Sequence, residues 1–200
     1  IGAQTTNVAA YYEGKIHHVA ILPFGGATLT QDLMRGLAVP YKEAQRAKEH
    51  HSHALAQMVD PRETVDLPGP SPNQMRSVAC ELIAHIVEQR LDEMFGIIQG
   101  ELQDNGVAEK LGAGIVLSGG SASIPGITEL AQQIFAAPVR LGVPAEGLGG
   151  IADVVARPRF TVGAGLALWG ADRFAETGRG ASTRASGIVT RLGVWLKEFF

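Results

Sequence analysis

The sequence contains one cysteine, Cys80, among 200 residues. No disulfide can form within the chain, which fits a reducing cytoplasm. Charge is also sparse. Charged residues make up 18% of the chain and the formal net charge is −3. That balance argues against general nucleic-acid binding. No apolar run approaches the ~20 residues that cross a bilayer. No signal peptide is visible in the sequence. The chain opens on Ile1 rather than Met, so it reads as a fragment or processed piece with an upstream half expected. What remains is a 46% hydrophobic composition, enough for one domain with a good core or two small ones.

The stretch Gly112–Thr128, GAGIVLSGGSASIPGIT, reads as a strand, a tight turn and the start of a helix. Ile115–Leu117 is a short β-rich run of the kind seen in buried parallel strands. Gly119 and Gly120 permit a sharp turn. Ser121 and Ser123 offer capping hydroxyls, Pro125 suits a first helical turn, and a helix is predicted over Ile127–Phe135. Such a unit frees backbone N–H groups at a helix start, where a nucleotide can lie against the chain. A tight turn with no ligand is the competing reading.

Val8–Tyr12 and Ile16–Leu22 read as a hairpin turning at Glu13-Gly14. Thr28–Leu37 is amphipathic at helical spacing, with Thr28 or Thr30 as cap. A second helix is predicted over Lys42–Gln57, and a proline-rich loop over 58–73 with one strand near Glu63–Leu67. His50, His51 and His53 lack metal-ligand spacing. No cysteine or carboxylate cluster stands near them in sequence, so no metal site is expected. A long helix is predicted over Gln74–Asn105. Its stripe is Val78, Leu82, Ile83, Ile86, Val87, Leu91, Met94, Ile97, Ile98 and Leu102, with a kink near Gly96 or Gly100. Cys80 reads as a small packed side chain, since no base accompanies it. Val139–Leu141 reads as a strand, 142–157 as a loop, and Phe160–Trp169 as a helix whose glycines allow close packing on the sheet.

Residues 172–186 are polar and small, the composition of a flexible linker. They lead into GIVTRLGVWLKEFF. On a helix Ile188, Leu192, Trp195, Leu196 and Phe199 share one face, with Phe200 beside them, and the tail carries net positive charge. This is the pattern of a helix lying in a membrane interface. A terminal helix docked on the protein's own core is the alternative.

The order of these pieces resembles the actin/Hsp70 ATPase superfamily. The phrases PFGGATLTQDL, RSVACELIAHIVEQRLDEMFGII, IVLSGG, IPGI, APVRLGVP and FTVGAGLALWG look most like the FtsA family of bacterial cell-division actin homologues. The resemblance implies an α/β fold, the ribonuclease H-like domain II of the actin class, with a mixed sheet, packed helices and a small inserted subdomain. Residues 1–26 would open subdomain IIA, 27–75 would form an abbreviated IIB and 76–171 the rest of IIA. A linker over 172–186 and a membrane-targeting helix over 187–200 would follow.

It also implies ATP with magnesium, held between two halves of a full-length protein. Gly2, Thr5 and Thr6 match the family's second phosphate loop, although the family's Asp would fall before Ile1. Gln45 and Lys48 match a Glu and a Lys that hold ribose and adenine, and Gln45 departs from that Glu. Gly119, Gly120 and Ser121 match the adenosine motif. The bland reading of Lys48 is a solvated surface lysine. This chain alone is expected to bind ATP weakly or not at all, and no enzymatic turnover beyond slow hydrolysis is implied. Arg76 and Arg90 match two arginines around the groove for the acidic C-terminal tail of FtsZ; two paired surface arginines are the plain alternative. The implied role is a scaffold that polymerises like actin, recruits later division proteins and holds FtsZ filaments on the cytoplasmic membrane face at the division site. A pilus-assembly relative of the PilM type and an actin-fold ATPase or sugar kinase are the rival readings.

Overall fold

The computed structural model describes residues 1–69, 74–144 and 152–177. Helix α3, Cys80–Asp104, forms the axle. Ile83, Val87, Leu91, Met94, Ile98 and Leu102 lie along its buried side, joined by Ala84 and Phe95. These positions recur every three or four residues, as one face of a 3.6-residue period demands. The fully buried Phe95 ring packs 5.6 Å from that of Phe135. Leu82 and Ile97, expected on the stripe, are exposed. Each precedes a stripe member by one residue and is therefore turned ~100° away from it. The helix runs unbroken through Gly96 and Gly100.

Strands β1, Thr6–Tyr12, and β2, Lys15–Leu22, pair antiparallel from Thr6↔Leu22 to Tyr12↔Lys15, with a bulge between Ala10 and Tyr11. Glu13 and Gly14 both take positive φ, 50° and 73°, the geometry that matches a hairpin to strand twist. Helix α1, Gly26–Gly36, follows, then α2, Tyr41–His51. The latter ends six residues short of the expected Gln57, because Ser52 turns to extended backbone and a 3-10 turn takes Ala56–Met58.

Strand β3, Thr64–Pro68, pairs antiparallel with β4, Met75–Ala79. The long helix therefore begins at Cys80 and not at Gln74. The ladder with β3 claims Met75–Ala79, whose helical reading came from continuing the stripe back to Val78. The hairpin also crosses the boundary expected at residue 75.

Strand β5, Ile115–Leu117, leads through α4, Ile127–Phe135, to the parallel β6, Val139–Leu141. A short α5, Ala152–Val155, precedes α6, Thr161–Thr177. Among the described residues the strands form three two-stranded ladders, two antiparallel and one parallel. Helix α6 continues through Asp172–Thr177, where the linker was expected to begin. Gly163 and Gly165 face open space and do not pack on a sheet. The membrane-helix residues Ile188, Leu192, Trp195, Leu196, Phe199 and Phe200 lie outside the described residues.

Candidate functional site

Two turns and a helix face meet near the start of α1 and the end of β5. The first is the loop before β1. The Gly2 and Ala3 carbonyls accept the N–H groups of Gly26 and Ala27, at 2.9 and 2.7 Å, tying that loop to the start of α1. The approach is too close for a side chain: a Cβ at Gly25 would lie 2.6 Å from Gly2 O. The second is the turn after β5. Gly119 takes φ 91°, and a Cβ there would lie 2.4 Å from Ile1 O. The third is the face of α2 that carries Gln45 and Lys48.

A cleft of about 460 Å³ opens between them, lined by Gly2, Gln45, Lys48, Gly120 and Ser121 among others. Five of the eight residues matched to nucleotide binding thus converge from three separate segments. Thr5, Thr6 and Gly119 do not line it. Thr6 is buried and its hydroxyl donates to Phe24 O at 2.9 Å, a bond that closes the base of the β1–β2 hairpin. Thr5 contributes its carbonyl, which accepts the Gly2 N–H at 2.9 Å. Ser121 Oγ points back to Gly2 O at 3.4 Å. Neither Ser121 nor Ser123 caps α4, which starts from Gly126 in left-handed backbone, φ 79°. Thr30 caps nothing either. It is fully buried within α1, while Thr28 Oγ1 accepts the Gly25 N–H at 3.4 Å.

Lys48 is no solvated lysine. Its ammonium donates to Gly26 O at 2.9 Å, Thr30 Oγ1 at 2.8 Å and Gln45 Oε1 at 3.0 Å. Partial burial holds its pKa below the usual lysine value, with Glu49 opposing the shift. All three ammonium protons are spent on neutral oxygens, so Lys48 braces α1 against α2 and lends its positive charge to the cleft wall. Gln45 completes the brace: its Oε1 lies 2.6 Å from Thr30 Oγ1, and its Nε2 donates to the Glu49 carboxylate.

Glu49, Arg159 and Gly26 also line the cleft and were not singled out from the sequence; Ser123, read there only as a cap, lines it too. Glu49 has a legible signal in hindsight, being four residues after Gln45 and hence on the same helical face. Its carboxylate returns to the cleft the negative charge that Gln45 lacks. Arg159 has no such signal, because only the fold carries the turn before α6 to this point. The residues present fit a nucleoside with phosphates. Small residues allow backbone approach from two turns, a carboxylate and an amide suit ribose hydroxyls, and two cations sit on the wall.

Arg76 and Arg90 converge on α1 from different elements. Arg76 is on β4, not on the long helix as expected, and donates through Nη2 to Leu37 O at the C-terminal end of α1. Its Nε is buried without a hydrogen-bond partner. Arg90, on α3, forks onto Asp32 of α1, with Nη2 3.1 Å from Oδ1 and Nε on Oδ2, and also pairs with Glu93. The hydrogen bond to Asp32 holds the Arg90 pKa above its ordinary value. Both arginines thus brace the same helix.

A family model described as "Cell division protein FtsA" matches residues 1–165. The chain is 37% identical over its full length to the cell division protein FtsA of Pseudomonas aeruginosa and covers 50% of that protein. It therefore spans about half the length of the curated relatives it matches. Among solved structures it resembles MreB5 of Spiroplasma citri bound to AMPPNP, at TM-score 0.70 and 17% identity, covering 90% of this chain and 54% of that one. It also resembles a PilM–PilN type IV pilus biogenesis complex, at TM-score 0.61 and 18% identity, covering 85% and 44%. These likenesses establish the actin fold.

Proposed function

Because the chain belongs to the FtsA family of cell-division proteins, we propose that it is the portion of an actin-like scaffold that binds the FtsZ tail and the membrane. In this reading the full-length protein binds ATP with magnesium, polymerises, gathers later division proteins and holds FtsZ filaments at the cytoplasmic membrane face of the division site. It is not primarily an enzyme. Bound nucleotide supplies a polyanion that bridges two halves of the fold; this chain contributes the Gly2 and Gly120 turns and the α2 face.

The observation that carries the reading is the convergence of Arg76 and Arg90 on α1. A planar guanidinium pairs with carboxylates through a fixed fork, so an acidic peptide laid along α1 can compete with Asp32 for Arg90 and meet Arg76 at the helix end. Binding of a peptide from the FtsZ C-terminus tests this by fluorescence anisotropy. Arg90→Ala is expected to weaken binding by roughly 10-fold or more, the scale of a lost charged hydrogen bond. Unchanged affinity in both Arg76→Ala and Arg90→Ala refutes it. The membrane half of the reading is checked by liposome co-sedimentation with and without residues 187–200. Retained lipid binding by the shortened chain removes the anchor. The PilM rival shares the fold at 18% identity, and binding of a pilus-protein peptide in place of the FtsZ tail favours it.

A further inference from the structure

The end of α2, the turn before β3 and the first residue of α3 meet at one point. His51, Glu63 and Cys80 each present a ligand atom there, and those atoms all lie within 4.8 Å of one another. Main-chain bonds hold the approach. The Cys80 N–H donates to Glu63 O at 2.9 Å, and the Glu63 N–H donates to Asp60 O at 2.9 Å. Cys80 is buried, His51 half-buried and Glu63 exposed, so the site has a buried floor and a mouth open to solvent.

We propose that His51, Glu63 and Cys80 bind a divalent cation of the zinc type, with solvent in the fourth position. Imidazole nitrogen, carboxylate oxygen and thiolate sulfur form a borderline-soft set that suits zinc over magnesium or calcium. Tetrahedral ligands ~2.0–2.3 Å from zinc stand roughly 3.3–3.8 Å apart, so side-chain rotation of about 1 Å closes the set. The two helix ends assist. Cys80 opens α3, where the N-terminal field favours a thiolate, and His51 closes α2, where the carbonyl end favours a cation.

Without a metal, burial first, and then the Glu63 charge and its hydrogen bond with the thiol, hold the Cys80 pKa above its ordinary value. A divalent cation takes the place of that one proton: the S–H bond breaks, the proton leaves to solvent, and sulfur and carboxylate share the metal. The site would join α2, the β3–β4 hairpin and α3, and fix the end of the helix that carries Lys48.

The test is calorimetric titration of the full 200-residue chain with Zn²⁺ in nucleotide-free buffer, paralleled by optical titration with Co²⁺. The expected result is one equivalent bound, with a thiolate-to-cobalt charge-transfer band and the intense visible bands of four-coordinate cobalt. Cys80→Ser is expected to abolish the charge-transfer band. Glu63→Gln, at an exposed position, keeps the fold and is expected to weaken binding beyond the roughly 10- to 100-fold that outer-shell changes cost. His50→Ala leaves both signals unchanged. Three outcomes overturn the proposal: no stoichiometric binding, binding without the thiolate band, or binding lost in His50→Ala.

Discussion

Thr30 shows how much one side chain can hold. It is fully buried, with Oγ1 3.0 Å from Gly26 O, 2.6 Å from Gln45 Oε1 and 2.8 Å from Lys48 Nζ. Thr30→Val keeps the shape but leaves the Lys48 ammonium one acceptor short, and is expected to lower stability by about 1–3 kcal/mol in urea unfolding. Lys48 itself gives a pH signature. Burial lowers its pKa in the folded state below the ordinary lysine value of 10.5. As pH falls through 10.5, the unfolded chain takes up this proton before the folded one does. Stability therefore rises with pH between the lowered folded value and 10.5. Comparing wild type with Lys48→Met across that window checks the sign: the substitution should flatten the rise.

At the scale of the element, the two glycine types behave oppositely. Gly119 holds the turn after β5 at φ 91°, with Ile1 O where a Cβ would go. Gly119→Ala is expected to destabilise by ~1–2 kcal/mol from the left-handed backbone alone, before the clash is counted. Gly96 lies in the middle of α3 with nothing within 4 Å of a Cβ. Gly96→Ala should stabilise by roughly 0.5–1 kcal/mol through helix propensity. Thermal unfolding of both variants separates these effects. A reversed order would mean that the turn is not held as described. Phe95 sits where α3 meets α4, and Phe95→Ala is expected to cost about 3–5 kcal/mol.

Across the whole molecule, the outer face of β2 is unusual. His18, Ala20 and Leu22 turn inward, and His18 Nε2 meets Glu101 Oε1 of α3 at 2.9 Å. Val19 and Ile21 face outward at 59% and 70% exposure, and Leu166 and Trp169 of α6 are exposed as well. A strand apolar on both faces is patterned for cover on both sides, and patches of this kind mark association surfaces. The chain is expected to self-associate with rising concentration in sedimentation velocity, and Val19→Glu with Ile21→Glu to restore the monomer. A monomer at every concentration would remove this expectation.

Local pattern was enough for much of the frame. The β1–β2 hairpin, the α4 boundaries and strand β6 follow from alternation, glycine turns and helical periodicity, and these signals lie within a few residues of one another. The family was legible for the same reason, since its phrases are contiguous. What the linear order could not show was competition between distant partners. Met75–Ala79 has a helical stripe but pairs with β3, because a ladder partner several residues upstream outweighs propensity. Lys48 reads as a surface lysine until Gly26 and Thr30 are brought beneath it. Arg159 reaches the cleft, and Cys80 and Glu63 reach His51, only because separate chain segments fold onto the same point. Periodicity reports which face of an element is buried; only tertiary packing decides which charges and ligands that burial brings together.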